Sequence, residues 1–78
     1  MPNTLSTRLR QARRFANLTQ IQLTERINAS FDAGVTQPAI QRIESGKVKS
    51  TRYIAQIASV CGVNALWLAT GQGKMSND

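Results

Sequence analysis

Residues 18–46, LTQIQLTERINASFDAGVTQPAIQRIESG, contain the two helix starts around which the chain is organised. Thr19 and Thr36 each precede a helical segment, where a threonine side chain can accept a hydrogen bond from an early backbone N–H group. Pro38 falls in the first turn of the second segment, where a missing N–H group costs nothing. Two short helices with a turn between them predict a helix-turn-helix, the motif whose second helix enters the major groove of DNA.

The turn between the two segments, residues 28–34, is rich in small residues. The first segment is predicted to fade between Asn28 and Ser30. Phe31 is apolar, so we expect it to pack back onto the core from inside the turn. Gly34 can adopt the positive φ angle that such a turn requires.

The second segment is predicted to run from Gln37 to about Ser45, because Gly46 can end a helix. Ile40 and Ile43 are its inward pair, since residues three apart share one helix face. The side chains that this leaves outward are Gln37, Pro38, Gln41 and Arg42.

The rest of the chain also has helical spacing, and no alternating strand pattern of useful length is present. A first helix over 5–17 has an apolar stripe of Leu5, Leu9, Ala12 and Ala16, with Arg8, Arg10 and Arg14 elsewhere on its surface. A fourth helix, capped by Ser50 or Thr51, has the inward face Ile54, Ile57, Ala58 and Cys61. A short fifth helix lies between Asn64 and Gly71. We therefore predict an all-α domain of five helices over 1–71, followed by a flexible tail over 72–78.

The composition is that of a single small globular domain with a basic surface. The 78 residues carry ten Lys and Arg against four acids, a net charge of +6. For so small a chain this favours an anionic partner, nucleic acid before a membrane surface, unless the cations form only a solvated basic face. Three of them, Lys47, Lys49 and Arg52, follow the second segment and either reach phosphates or form a solvated loop.

Several function classes have no support in the residue inventory. Four acids and no histidine leave little for acid–base catalysis, and no phosphate-binding or nucleophile motif is present. Cys61 is the single cysteine, at an apolar helical position, which predicts a buried structural thiol. We therefore expect no enzymatic activity, metal, cofactor or small-molecule ligand. No secretory signal or membrane-spanning run appears, so we expect a cytoplasmic, nucleoid-associated protein of a bacterial host.

Three segments in order, LTQIQL, TQPAIQRIESGKVK and VNALWLATG, resemble the DNA-binding domains of phage repressor and Cro-type proteins. This lambdoid, XRE-like helix-turn-helix family matches the chain from about Leu5 to Gly71. The resemblance implies a compact five-helix domain that binds a double-stranded DNA operator. As a complete chain, its length fits a Cro-type protein, whereas as a fragment it would be the DNA-binding part of a larger repressor.

The resemblance also implies the roles of individual residues. Gln37 matches a base-reading glutamine, which can pair bidentately with adenine, and Arg42 a base-reading position that favours guanine. Gln20 matches a glutamine that touches a phosphate and braces the start of the recognition helix, which agrees with the affinity of helix N-termini for anions. Gln41 could reach a base or the DNA backbone. The candidate backbone contacts are Gln20, Thr36, Lys47, Lys49, Arg52, Arg10 and Arg8.

A further implied pair joins Arg13 of the first helix to Glu44 of the recognition helix. Such a pair adds orientation more surely than it adds net stability. We therefore interpret Glu44 as structural rather than as a catalytic acid.

Two features depart from the family pattern. The 28–34 segment is several residues longer than the usual turn. Either the helix that begins after Thr19 extends by one more turn, or a loop bulges outward. Pro38 stands where relatives often carry a base-reading glutamine. Its ring cannot donate a hydrogen bond but could pack on a thymine methyl group, so the preferred operator should differ from theirs.

A domain of this size reads few base pairs, so we expect a homodimer on a pseudo-palindromic operator, weak in solution and completed on DNA. Leu66 is our first choice for the dimer interface, with Ala65 and Trp67 as the other candidates, although Trp67 is expected to favour the core. The expected function is transcriptional repression by a phage or prophage Cro/repressor-type protein. Two alternatives remain: an antitoxin or restriction-controller regulator of the same fold, and a protein-interaction module that does not bind DNA.

Overall fold

A computed structural model describes residues 4–76, which form five α-helices and no strand. The helices are α1 (Leu5–Phe15), α2 (Gln20–Phe31), α3 (Gln37–Glu44), α4 (Ile54–Cys61) and α5 (Ala65–Thr70). The predicted all-α, five-helix architecture is confirmed. None of these described helices is long and apolar enough to cross a membrane.

Threonine side chains start the first three helices. Thr4 and Thr36 accept hydrogen bonds from the N–H groups of Thr7 and Ala39, the third helical residue in each case. Thr19 forms a reciprocal capping box, in which its hydroxyl accepts from the Gln22 N–H group and the Gln22 side chain accepts from the Thr19 N–H group. The predicted caps at Thr19 and Thr36 are therefore confirmed.

The core is aliphatic and lies where all five helices meet. Its fully buried large side chains are Leu9, Leu23, Ile27, Ile40, Ile57 and Leu68. Helix α1 packs on α3, α4 and α5, and α2 packs on α3 and α4. Helix α3 is thus held from behind by α1 and α2, which leaves its other face to solvent.

Helix α2 takes up part of the long segment after Asn28. It runs to Phe31 instead of fading between Asn28 and Ser30, which is the first of the two predicted alternatives. Asp32 ends the helix in the left-handed conformation, with φ of 50°. The extra turn carries Phe31 away from the core, and its side chain is 45% exposed. The prediction that Phe31 packs inward is therefore wrong, because it placed that residue in a loop rather than on the outer face of a helix.

The side chain of Asn28 closes the connection between α2 and α3. Its amide nitrogen donates to the carbonyl oxygen of Val35 at 2.8 Å, and its oxygen accepts from the Val35 N–H group at 2.9 Å. Both backbone groups of Val35 are satisfied in this way, and its side chain is buried. Gly34, just before it, has the predicted positive φ, 69°.

Two other expectations need correction. Helix α4 begins at Ile54, three to four residues beyond the predicted caps, although Thr51 accepts a hydrogen bond from the Tyr53 N–H group just before it. Arg8 is not on the surface: it is 5% exposed, and its Nε and Nη2 atoms donate to the carbonyl oxygens of Leu68 and Ala69. Arg8 therefore ties the end of α5 to α1 and is not available as a phosphate contact.

The described part of the predicted tail lies against the start of α5. The backbone N–H group of Asn64 donates to the carbonyl oxygen of Met75. The side-chain amide of Asn64 donates to the carbonyl oxygen of Lys74. Residues 77 and 78 of the predicted tail lie outside the described range, and the predicted domain boundary at 71 stays a prediction.

Candidate nucleic-acid interface

The face of α3 that does not contact the core carries the predicted base-reading side chains. Pro38, Gln41 and Arg42 are exposed, and Gln37 is partly exposed at the start of the helix. Ile40 and Ile43, on the opposite face, are 0% and 3% exposed, so burial of these two isoleucines fixes which way the helix points. The 3.6-residue period of α3 thus places its polar side chains and the Pro38 ring on one exposed face.

Glutamines at the starts of α2 and α3 are joined directly. The amide nitrogen of Gln37 donates to the side-chain oxygen of Gln20 at 2.8 Å. Gln20 in turn donates through its own amide nitrogen to Oε1 of Glu44 at 3.2 Å. Gln20 therefore braces the recognition helix, and it does so through two specific hydrogen bonds.

The acid at the end of α3 is buried among cations from α1. Glu44 is 3% exposed, and its two carboxylate oxygens accept from Nε and Nη2 of Arg13 at 2.8 and 2.9 Å. This bidentate hydrogen bonding raises the pKa of the Arg13 guanidinium above its usual value, against the opposing effect of burial. The pair implied by the family resemblance is therefore present, and it fixes α3 against α1.

The main-chain end of α3 is held by the same helix. The carbonyl oxygen of Glu44 accepts from the Ser6 hydroxyl group and from Nη2 of Arg10, the latter at 2.7 Å. Nε of Arg10 also lies 3.7 Å from Oε1 of Glu44. The side chain of Arg10 remains half exposed. Its guanidinium therefore contacts the end of α3 on one side and solvent on the other.

The connector after α3 carries the basic residues expected to reach phosphates. Lys47, Lys49 and Arg52 are all exposed, as is Thr36 before the helix. Arg52 donates to the Tyr53 hydroxyl group at 3.0 Å, and its guanidinium carbon lies 5.2 Å from the centre of that ring. The aromatic contact gives this cation a defined position.

The predicted dimer residues differ in their exposure. Leu66 is 60% exposed and Ala65 is also exposed, whereas Trp67 is 9% exposed and belongs to the core. Trp67 therefore drops out of the predicted interface, because the period of α5 turns it inward together with Leu68, while Leu66 faces outward. Cys61 is buried, as predicted for a structural thiol.

Sequence reasoning missed three members of this arrangement. It assigned no role to Ser6, to the Asn28 clamp or to the hydrogen bond between Gln20 and Glu44. The sequence does show polar residues close to the buried faces of these helices, and this could have suggested buried hydrogen bonds. It does not show the partners, which lie 7, 24 and 38 residues away in the chain. No group of three or more metal-ligating side chains is found among residues 4–76.

Comparison of the amino-acid sequence with known proteins identifies a family and several relatives. A family model described as a helix-turn-helix domain matches residues 4–66. The HTH-type transcriptional regulator PrtR of Pseudomonas aeruginosa is 42% identical over 72 residues, which are 92% of this chain and 26% of that protein. The HTH-type transcriptional regulators for conjugative element SXT of Vibrio cholerae and for conjugative element pMERPH of Shewanella putrefaciens are each 44% identical over 72 residues. Those residues are 92% of this chain and 31% of each of the two, so the chain spans less than a third of the curated relatives it matches.

Proposed function

The chain belongs to the helix-turn-helix domain family, and from this membership we propose that it is a sequence-specific DNA-binding transcriptional regulator. The observation that carries the proposal is the exposed polar face of α3, which is fixed from behind by α1 and α2 and flanked by the cations of the connector. A rigid helix with a free polar face and adjacent positive charge is the arrangement that major-groove recognition needs.

In this proposal α3 lies in the major groove and its side chains read base edges. Gln37 pairs with adenine, Arg42 with guanine, and the ring of Pro38 packs on a thymine methyl group. Gln41 contacts a base or the backbone. The cations of the connector, with Arg10, Gln20 and Thr36, contact phosphates and set the register of the domain on the duplex.

We propose further that the regulator is of the phage or prophage Cro/repressor type. It binds a pseudo-palindromic operator as a homodimer through Leu66 and Ala65, and it blocks transcription by occupying the operator in the bacterial cytoplasm. Two of its relatives are named as regulators for conjugative elements, which supports an origin on mobile DNA. The chain acts by binding alone, without enzymatic activity, cofactor or metal.

Selection from a randomised duplex pool, sequenced after several rounds, tests the proposal. We expect a palindrome whose half-sites lie about one helical turn apart. Failure of the folded chain to enrich any sequence would contradict sequence-specific binding. If the folded chain also shows no salt-dependent affinity for DNA of any sequence, a protein-interaction module is favoured instead.

A further inference from the structure

We propose that Glu44, a buried carboxylate, sets the base preference of Gln37 by fixing the orientation of two glutamine amides in series. Glu44 is thus a positioning residue for specificity as well as one half of an ion pair. The inference rests on the proposed function, because it assigns a role within the DNA-reading face of α3.

The argument begins with what each end of the amide can do. An amide oxygen only accepts hydrogen bonds and an amide NH₂ group only donates them, whereas an ionised carboxylate is an acceptor at both oxygens. Gln20 therefore has one favourable orientation beside Glu44, with its nitrogen towards Oε1, 3.2 Å away. The reverse orientation would bring two acceptor oxygens together in a partly buried site.

The same constraint passes on to the next amide. Since the nitrogen of Gln20 faces Glu44, its oxygen is left to face Gln37, whose nitrogen donates to it at 2.8 Å. Gln37 then retains one N–H group and its carbonyl oxygen for another partner. One donor and one acceptor are what adenine requires at N7 and N6, whereas guanine presents two acceptors, N7 and O6.

Arg13 keeps the first member of this series in place. Its Nε and Nη2 atoms hold both carboxylate oxygens of Glu44, and the carboxylate is 3% exposed, so it cannot turn away from Gln20 without breaking the pair. A buried acid on α3 therefore specifies the polarity of the amide that α3 presents at its opposite end.

The first step of the test locates the base that Gln37 reads. The duplex selected from the randomised pool is varied at each position, and the affinities of the unchanged chain and of Gln37→Ala are compared. The position whose preference collapses in Gln37→Ala is the one read by Gln37. We expect adenine there, favoured over guanine by about 5- to 150-fold, the range for one bidentate contact. A guanine preference, or no position that depends on Gln37, would overturn the proposal.

The second step compares Glu44→Gln with Arg13→Gln. Both variants break the same ion pair, but only Glu44→Gln replaces the acceptor-only group with an amide that can also donate. In Glu44→Gln both glutamines can reverse, which would turn the NH₂ group of Gln37 towards the DNA. We expect the adenine-over-guanine ratio at this position to fall several-fold in Glu44→Gln and to fall less in Arg13→Gln, which loosens the carboxylate but leaves an acceptor-only group beside Gln20, with unchanged preferences elsewhere in the site. An unchanged ratio in Glu44→Gln would overturn the role of Glu44.

Gln20→Leu supplies an independent variant if Glu44→Gln does not fold, because it interrupts the series without touching the ion pair. We expect the same loss of discrimination at the same position, along with a uniform loss of affinity. Retention of the full ratio in Gln20→Leu would contradict the proposal. Absence of any sequence preference in the unchanged chain would instead contradict the proposed function, so the two failures are distinguishable.

Discussion

At the scale of single residues, burial of charge is tolerated only where each charged atom has a partner. Glu44 is 3% exposed but accepts from Arg13 and Gln20, and Arg8 is 5% exposed but donates to the last turn of α5. An unpaired charge in either position would cost several kcal/mol, so both residues lock helices together through hydrogen bonds. The cations of the connector after α3 remain exposed.

Alanine substitutions of Arg42 and Lys49 should affect DNA binding differently, although each substitution removes one positive charge. We expect Arg42→Ala to lose about 1–3 kcal/mol on the preferred site and to relax one base position. Lys49→Ala should weaken all sequences alike and reduce the salt slope by about one. Affinities of both variants for matched and mismatched duplexes across a salt series decide this. Identical behaviour of the two variants on every sequence would refute the assignment of base and phosphate contacts.

Cys61 should be unreactive in the folded chain. Burial raises the pKa of its thiol to about 11, an effect that Arg13 only partly opposes. Because the folded pKa lies above the thiol's ordinary value of 9.0, the thiol contributes stability below pH 9 that is lost as pH rises towards 11. Alkylation at pH 8 should therefore follow unfolding, and Cys61→Ala should lose less stability than the unchanged chain between pH 9 and 11. Fast alkylation of the native chain would contradict this.

At the scale of helices, the extra turn of α2 determines how the helix-turn-helix closes. The turn can be accommodated because Asp32 ends the helix in the left-handed conformation and Asn28 then pairs with both backbone groups of Val35. An added helical turn would otherwise separate α2 from α3. The Asn28 clamp thus keeps the longer connection compact.

Asn28→Ala should therefore lower the free energy of unfolding by about 1–3 kcal/mol, since it leaves the buried backbone of Val35 without partners. Ser30→Ala, at an exposed position two residues later in the same helix, is the control and should change stability by less than about 0.5 kcal/mol. Urea denaturation of both variants measures the difference. Equal stabilities would mean that the clamp does not hold the connection.

Arg8 and Arg14 offer a similar contrast within α1. Arg8→Ala removes two charge-assisted hydrogen bonds to the end of α5, so we expect a loss of about 1.5–3 kcal/mol in unfolding free energy. Arg14→Ala removes the same charge from an exposed position and should stay within about 0.5 kcal/mol. Thermal unfolding with both variants distinguishes them, and a comparable loss in Arg14→Ala would point to net charge as the cause.

At the scale of the whole molecule, cations follow α3 in the connector, and α5 carries an exposed leucine. The net charge of +6 favours long-range attraction to DNA and makes binding depend on salt. Leu66, at 60% exposure, is the outward apolar side chain of α5. Its burial against a second copy is the proposed contribution to operator affinity.

Leu66→Ser should weaken binding to a duplex with two half-sites by about tenfold or more, the equivalent of losing one buried leucine side chain. Binding to a single half-site and thermal stability should hardly change. Phe31→Ser is the matched control, because it also replaces an exposed apolar side chain without changing the charge. An equal loss in both variants, or none with Leu66→Ser, would exclude α5 as the dimer interface.

The presence of five helices, the threonine caps at Thr19 and Thr36, and the inward isoleucines of α3 could all be predicted from the sequence. These features depend on interactions between residues at most four apart, which the order of amino acids specifies directly. The pattern also placed Gln37, Pro38, Gln41 and Arg42 on the outer face. Whether they contact DNA bases stays a prediction.

Which polar side chains meet could be seen only once the helices were packed together. The sequence predicts Arg8 as a surface cation, but α5 packs beside it and buries it. The sequence predicts Phe31 as a core residue, but α2 extends through the turn and exposes it. The series from Glu44 through Gln20 to Gln37 joins two helices whose side chains are 24 and 17 residues apart in the chain. Such contacts depend on how helices pack, and helix packing follows from the combined burial of the whole core rather than from any local segment.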